Sequence, residues 1–87
     1  MTYEELQYSF ETMEPRALAH MPTELVVAFG KHMVNKIPAQ YWVSKDWATS
    51  CGIIDQFRHT RDISRKQKWF LIRVIQETLP QGLLYLS

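Results

Sequence analysis

Positive charge is concentrated in one short part of this chain. Six of the ten Lys and Arg residues fall within positions 58–73, and the only carboxylate there is Asp62. These six residues are Arg58, Arg61, Arg65, Lys66, Lys68 and Arg73. Ser64 is a suitable helix N-cap, and Gln67, three residues later, can complete a capping box, so the segment predicts a loop followed by a helix start. Cations beside the free amides of a helix start form an anion-binding surface, and phosphate is the anion that suits it best.

Five of these cations are our candidate binding residues for nucleic acid or for an acidic partner: Arg58, Arg61, Arg65, Lys66 and Lys68. Cations at a helix N-terminus oppose the helix dipole, and a bound anion would relieve that repulsion. Trp69 lies one turn beyond Arg65 and would add a base-stacking face if it were exposed. Its place at the start of an apolar run favours the core instead. The alternative for the same cations is an ordinary solvated surface, partly neutralised by glutamates elsewhere in the chain.

The other end of the chain is acidic. Residues 1–24 contain five Glu and one Arg. An alternative acidic face is formed by Glu4, Glu5, Glu11 and Glu14. Such a face would mimic nucleic acid and block a basic channel in a target protein. The charge pattern alone does not choose between the basic and the acidic surface.

The residue types that perform catalysis or bind metals are present but scattered. The soft metal ligands are His20, His32, His59 and Cys51, and they include no Cys-x-x-Cys and no His pair one helical turn apart. We therefore predict no metal and no cofactor. Cys51 is expected to be a buried, inert thiol in the middle of a helix. The three glycines are too far apart to form a phosphate loop, so we expect a protein that is not an enzyme.

Hydrophobic periodicity predicts the elements that must position these side chains. With 87 residues, 46% apolar and 13% aromatic, the chain is expected to form a single helical domain, residues 1–87. Apolar spacings of three and four predict helices over residues 3–13, 15–20, 24–36, 45–59 and 65–79. The expected N-caps are Thr2, Thr23, Ser44 and Ser64. The fold class is all-α, a compact bundle of four main helices, in which the fourth, residues 65–79, is central because it is apolar on more than one face.

Prolines and glycines predict where helices end. Pro38 should end the helix before it, and residues 39–43 are predicted to be either an ordered connection or the lead-in to the next helix. Pro80 should end the last helix and Gly82 should break the chain. An apolar tail, residues 83–86, would then fold back on the core or dock into another subunit, which allows a homodimer. Gly30 costs about 1 kcal/mol inside a helix relative to Ala, so we expect a close helix crossing there.

One segment resembles a known class of proteins. Its pattern runs from Trp47-x-x-x-Cys51 through Gln56-Phe57-Arg58 to Ile63-Ser64-x-Lys66-Gln67. This resembles small helical accessory proteins of phage nucleic-acid machinery, such as the companions of tailed-phage helicases. The resemblance implies that Ser64, Lys66 and Gln67 mark the helix start, with Arg58 and Arg61 in the loop. Thr60 stands where the family-type loop often has Gly, which leaves a left-handed turn without its usual residue.

These observations give two hypotheses for function. The first is a small non-enzymatic phage-type accessory protein that binds nucleic acid, or a nucleic-acid-processing complex, without sequence preference. The alternative is a protein-targeting inhibitor, such as an anti-CRISPR or another anti-defence or host-takeover factor, that acts through its acidic face. One cysteine, no secretory signal and no membrane-length apolar run suit the cytoplasm of a bacterial host.

Overall fold

Helices account for most of the chain, and their ends are set by local hydrogen bonds. A computed structural model describes residues 1–43 and 46–86. Its elements are α1 (Tyr3–Thr12), α2 (Pro15–Leu18), α3 (Thr23–Lys36), a 3-10 helix (Ala39–Tyr41), α4 (Asp46–Thr60) and α5 (Arg65–Leu86). The described residues include no strand. The all-α prediction is therefore confirmed, and residues 1–43 and 46–86 contain five α-helices, four of them longer than two turns.

The starts of the first three helices show which capping predictions hold. Thr2 and Glu5 form the predicted capping box, with the Glu5 amide donating to Thr2 Oγ1 at 3.2 Å and the Thr2 amide donating to Glu5 Oε1 at 3.0 Å. Pro15 occupies the first turn of α2. The prediction for Thr23 was wrong: it is the first helical residue of α3, and Pro22 holds the cap position without a side-chain hydrogen bond.

The middle of the chain follows the sequence prediction closely. Ile37 caps the end of α3, and Pro38 follows it as the predicted stop. The ordered connection after Pro38 is the 3-10 helix. The predicted N-cap Ser44 and the predicted helix start at Lys45 lie outside the described residues. α4 extends one residue beyond the predicted end at His59.

The predicted end of the last helix was wrong. α5 continues through Pro80 and Gly82 to Leu86. Pro80 removes one helical hydrogen bond and crowds the preceding turn, but it is exposed, while Leu79 and Gly82 are buried. Packing on the inner face therefore outweighs the local preference to stop. The predicted tail is the last turn of this helix, in which Leu86 packs against the core.

The core lies between α3 and α5. α5 packs against α1, α2, α3, α4 and the 3-10 helix, and α3 also packs against α1 and α4. The phenyl rings of Phe10 on α1 and Phe29 on α3 stack with centroids 5.1 Å apart. The fully buried side chains around them include Leu6, Leu18, Val26, Met33, Leu71, Ile72, Val74, Ile75 and Leu79. Within the part of the chain that the structure describes, no helix is both long enough and apolar enough to cross a bilayer.

Glycine allows a close helix approach, but not at the predicted position. A Cβ built on Gly30 would lie 3.6 Å from Ile54 Cδ1 and 3.7 Å from Ile75 Cδ1, which are ordinary contact distances. The tight contact is at Gly82, where a Cβ would lie 2.9 Å from Ile37 Cγ1. Gly82 therefore does not break α5; it lets α5 cross the end of α3.

Candidate nucleic-acid interface

A paired set of hydrogen bonds fixes the junction between α4 and α5. The Ser64 amide donates to Gln67 Oε1 at 2.7 Å, and the Gln67 amide donates to Ser64 Oγ at 3.1 Å. The predicted capping box at the start of α5 is therefore confirmed. Gln67 Nε2 also donates to Gln56 Oε1 on α4 at 2.9 Å. This bond between the two glutamine side chains holds the start of α5 against α4 and fixes the backbone that carries the basic side chains.

The turn between these helices is left-handed despite the missing glycine. Arg61 has a φ of 61°, and its amide donates to the Phe57 carbonyl at 2.8 Å. An L-residue pays about 1 kcal/mol or more in this conformation. Thr60, in the place where the family-type loop often has Gly, is the last residue of α4, and its hydroxyl lies 2.9 Å from the Gln56 carbonyl oxygen.

The five predicted binding cations do not form one patch. Arg58 and Arg61 line a groove between α3 and α4. Lys66 lines a separate depression, which shares no lining residue with this groove. Arg65 is exposed on the first turn of α5. The structure thus divides the basic segment between two concave surfaces.

Lys68 is set apart from the other cations by its surroundings. Its ammonium donates to the Met21 carbonyl at 2.6 Å and to the Ala19 carbonyl at 2.9 Å, in a partly buried position. These carbonyls follow the short helix α2, so the ammonium ties α2 to α5. Because its donors are used inside the fold, we leave Lys68 out of the binding surface proposed below.

Trp69 is exposed, contrary to the predicted core position. Its side chain keeps 38% of its surface accessible. The residues from Trp69 to Ile72 cover more than one face of the helix, and the inward positions are taken by Leu71 and Ile72. Since consecutive helical residues point about 100° apart, Trp69 is left at the outer edge of this run.

Trp69 lies in a shallow depression of about 520 Å³ with cations on both sides. Its lining residues are Pro15, Lys66, Trp69, Phe70 and Arg73. Lys66, Trp69 and Arg73 are spaced by three and four, so they share one face of α5. The indole can stack on a nucleobase. Lys66 and Arg73 are seven residues apart, about 10 Å along the helix axis, so their charged groups can contact neighbouring phosphates.

Arg73 and Pro15 belong to this depression but were not among the predicted site residues. Arg73 was recognised only as part of the basic segment. Its three-four spacing with Lys66 and Trp69 was the signal that could have found it. Pro15 comes from the start of α2, more than fifty positions earlier in the chain, and no local pattern would have indicated it.

Within the described residues, the N-terminal glutamates form no salt bridge with the basic segment. Among residues 1–43 and 46–86, the salt bridges are Arg58 to Asp55 at 2.9 Å and the weaker contact of His59 with Asp55 at 3.7 Å. Glu4, Glu11 and Glu14 are exposed. Glu5 is held by its capping box, and the hydrogen bonds from Thr2 lower the pKa of its carboxyl.

The metal-ligating side chains remain dispersed. In the described ranges, no group of three or more His, Cys, Asp or Glu side chains is placed to hold a metal ion. His32 stacks on Tyr3 with ring centroids 4.1 Å apart. Cys51 is half-buried, less than was predicted, and desolvation raises the pKa of its thiol.

In comparisons with known proteins, no family model, no curated protein and no solved structure matched this chain. The most specific chemical feature of the described surface is an exposed aromatic ring between two cations on one helical face.

Proposed function

We propose that this protein is a small, non-enzymatic accessory factor that binds single-stranded nucleic acid without sequence preference. The observation that carries the proposal is the exposed indole of Trp69, flanked by Lys66 and Arg73 in an open depression. In this role α5 is the central scaffold, and the protein acts in the cytoplasm of a bacterial host as a phage-type component of nucleic-acid machinery.

The chemistry of the depression favours single strands. A base must leave its stack to lie on an indole, and single strands permit this at low cost. Every base has a π face, so the stacking contact tolerates any sequence. Lys66 and Arg73 supply charge to the phosphates, and exposed Arg65 extends the positive surface by one turn toward the helix start.

The test is a titration of a labelled thymidine oligonucleotide with the protein, in which fluorescence anisotropy measures binding. Stacking contributes about 1–3 kcal/mol per base, so Trp69→Ala should weaken binding by roughly fivefold to 150-fold. Neutralising three phosphates on a single strand gives a salt slope of about −2. Affinity should therefore fall about twentyfold between 50 and 200 mM salt.

Leu84→Ala is the matched control, because Leu84 is a large exposed apolar side chain on α5, the helix that carries Trp69, and lies outside the depression. It should leave nucleic-acid affinity unchanged. Equal binding by wild type and Trp69→Ala, or affinity that is constant across this salt range, would contradict the proposal.

The alternative is inhibition of a target protein through the acidic face. Its support is that Glu4, Glu11 and Glu14 are exposed and make no salt bridge within the described residues. Reversal of each face separately distinguishes the two functions. If Glu4→Lys combined with Glu14→Lys abolishes the protein's biological effect, and Lys66→Glu combined with Arg73→Glu does not, the result would favour the inhibitor.

A further inference from the structure

A second concave surface lies between α3 and α4 and is distinct from the Trp69 depression. This groove encloses about 390 Å³. Its floor is apolar and includes Val27, Val34, Ile54 and Phe57. No residue of the Trp69 depression lines it. An apolar groove between two helices commonly binds the apolar face of an amphipathic helix.

The edge of the groove carries three cations, Lys31, Arg58 and Arg61. Asp55 and Glu24 also line it, and Asp55 is already paired with Arg58. Lys31 and Arg61 are exposed and make no salt bridge within residues 1–43 and 46–86. The groove therefore offers two uncommitted cations and one uncommitted carboxylate, Glu24, beside an apolar floor, and its uncommitted charge is net positive.

The outer face of α1 has the complementary chemistry. Glu4, Tyr8 and Glu11 are spaced by four and three, so they form one stripe along the helix. All three are exposed, and the Tyr8 side chain is 68% accessible. Leu6 and Phe10 anchor the other side of α1 in the core. The stripe thus places an aromatic ring between two carboxylates on a helix that is held rigidly.

We propose that the α3–α4 groove binds the α1 stripe of a second copy of this chain. Tyr8 would lie on the apolar floor, and Glu4 and Glu11 would face Lys31 and Arg61. In the proposed dimer the two copies are related by a two-fold axis, so that each stripe lies in the other copy's groove and the assembly closes. The Trp69 depression uses neither surface, so each dimer keeps two of them open.

A disulfide trap tests the contact directly. Cys51 is the only cysteine in the chain, and it lines the groove. With Tyr8→Cys and a mild oxidant such as diamide, we expect a disulfide-linked dimer on a non-reducing gel. Adding Cys51→Ser to Tyr8→Cys should abolish this product. Leu84→Cys, at an 83% exposed position near the end of α5, is the matched control and should form much less dimer.

Reversing the charges of the stripe and of the groove gives an independent test, in which sedimentation measures the dimer Kd. One variant combines Glu4→Lys with Glu11→Lys, and the other combines Lys31→Glu with Arg61→Glu. Each alone should raise the dimer Kd more than about tenfold, because like charges then face each other. An equimolar mixture of the two variants should recover dimer, since each stripe then meets a groove of opposite charge. Glu77→Lys, an exposed change on α5, should have no effect.

Three results would overturn the proposal: a wild-type monomer at millimolar concentration, equal trapping by Tyr8→Cys and Leu84→Cys, or a mixture that stays monomeric. Circular dichroism of each variant confirms that it is folded. The outcome is separable from nucleic-acid binding, because Trp69→Ala should still dimerise and the stripe variants should still present the Trp69 depression.

Discussion

Gly82 on α5 lies directly against Ile37 at the end of α3, and a Cβ on Gly82 would come within 2.9 Å of Ile37 Cγ1. We predict that Gly82→Ala destabilises the protein by about 1–3 kcal/mol, because the methyl group forces side-chain or backbone shifts. This loss should appear despite the better helix propensity of Ala. The free energy of unfolding in urea measures it.

Gly52→Ala is the control for this prediction. Gly52 is in the middle of α4, is exposed, and has nothing within 4 Å of a built Cβ. Alanine should therefore stabilise the protein by up to about 1 kcal/mol. Ile37→Val, which removes the terminal methyl nearest Gly82, should recover part of the loss in Gly82→Ala. A Gly82→Ala protein as stable as wild type would refute the close crossing.

The contrast between these glycines illustrates what the sequence could predict. The capping boxes of Thr2 with Glu5 and of Ser64 with Gln67 were predictable because each is closed by residues three positions apart. The contact of Gly82 with Ile37 joins residues 45 positions apart, and only the folded arrangement reveals it. Without that contact, Pro80 and Gly82 read as a helix end, which was the largest error in the fold prediction.

The candidate site was also predictable from the sequence only where its features are local. The helix start and its basic composition were local and were predicted. The exposure of Trp69 depends on how α5 is rotated in the bundle, and a run of four apolar residues leaves that rotation ambiguous. The role of Lys68 depends on carbonyls 47 and 49 positions away, so charge composition alone grouped it with the surface cations.

Lys68 and Lys66 provide a matched pair for separating structure from binding. Lys68→Met removes the donors to the Ala19 and Met21 carbonyls, so we expect a loss of about 1–3 kcal/mol in the free energy of unfolding. Lys66→Met is an exposed change and should alter stability by less than about 0.5 kcal/mol. Urea titration compares the two.

For nucleic-acid affinity, the larger effect should come from Lys66→Met and not from Lys68→Met. At a temperature where both variants are folded, Lys66→Met should weaken oligonucleotide binding and Lys68→Met should not. Equal effects of both variants on affinity would mean that the basic segment acts through its overall charge instead of through the Trp69 depression.

His32 should make stability depend on pH near neutrality. Burial, with a smaller effect from the charge of Lys36, lowers the pKa of this imidazole below its ordinary value of 6.5. The unfolded chain therefore takes up a proton at a higher pH than the folded chain does, so stability falls as pH decreases from 6.5 toward the folded pKa. His32→Phe keeps a ring against Tyr3, with which His32 stacks at 4.1 Å, but cannot titrate.

The measurement is the urea midpoint at about pH 7 and at about pH 5, above most carboxylate titration. Wild type should lose more stability than His32→Phe over this interval. If both proteins lose the same amount, the dependence does not arise from His32.

Arg61 combines an unfavourable backbone conformation with a charge at the edge of the α3–α4 groove. Glycine adopts a φ of 61° without strain, although it also loses more backbone entropy on folding. We therefore predict that Arg61→Gly leaves stability unchanged or raises it by up to about 1 kcal/mol. The same change removes one of the two uncommitted cations of the groove, so the dimer Kd should rise. Arg61→Lys is the control, because it retains both the backbone strain and the charge and should preserve the dimer.

An Arg61→Gly protein that dimerises like wild type would mean that this side chain has no part in the groove contact. The left-handed backbone of Arg61 would then be explained only by the turn that it closes with the Phe57 carbonyl.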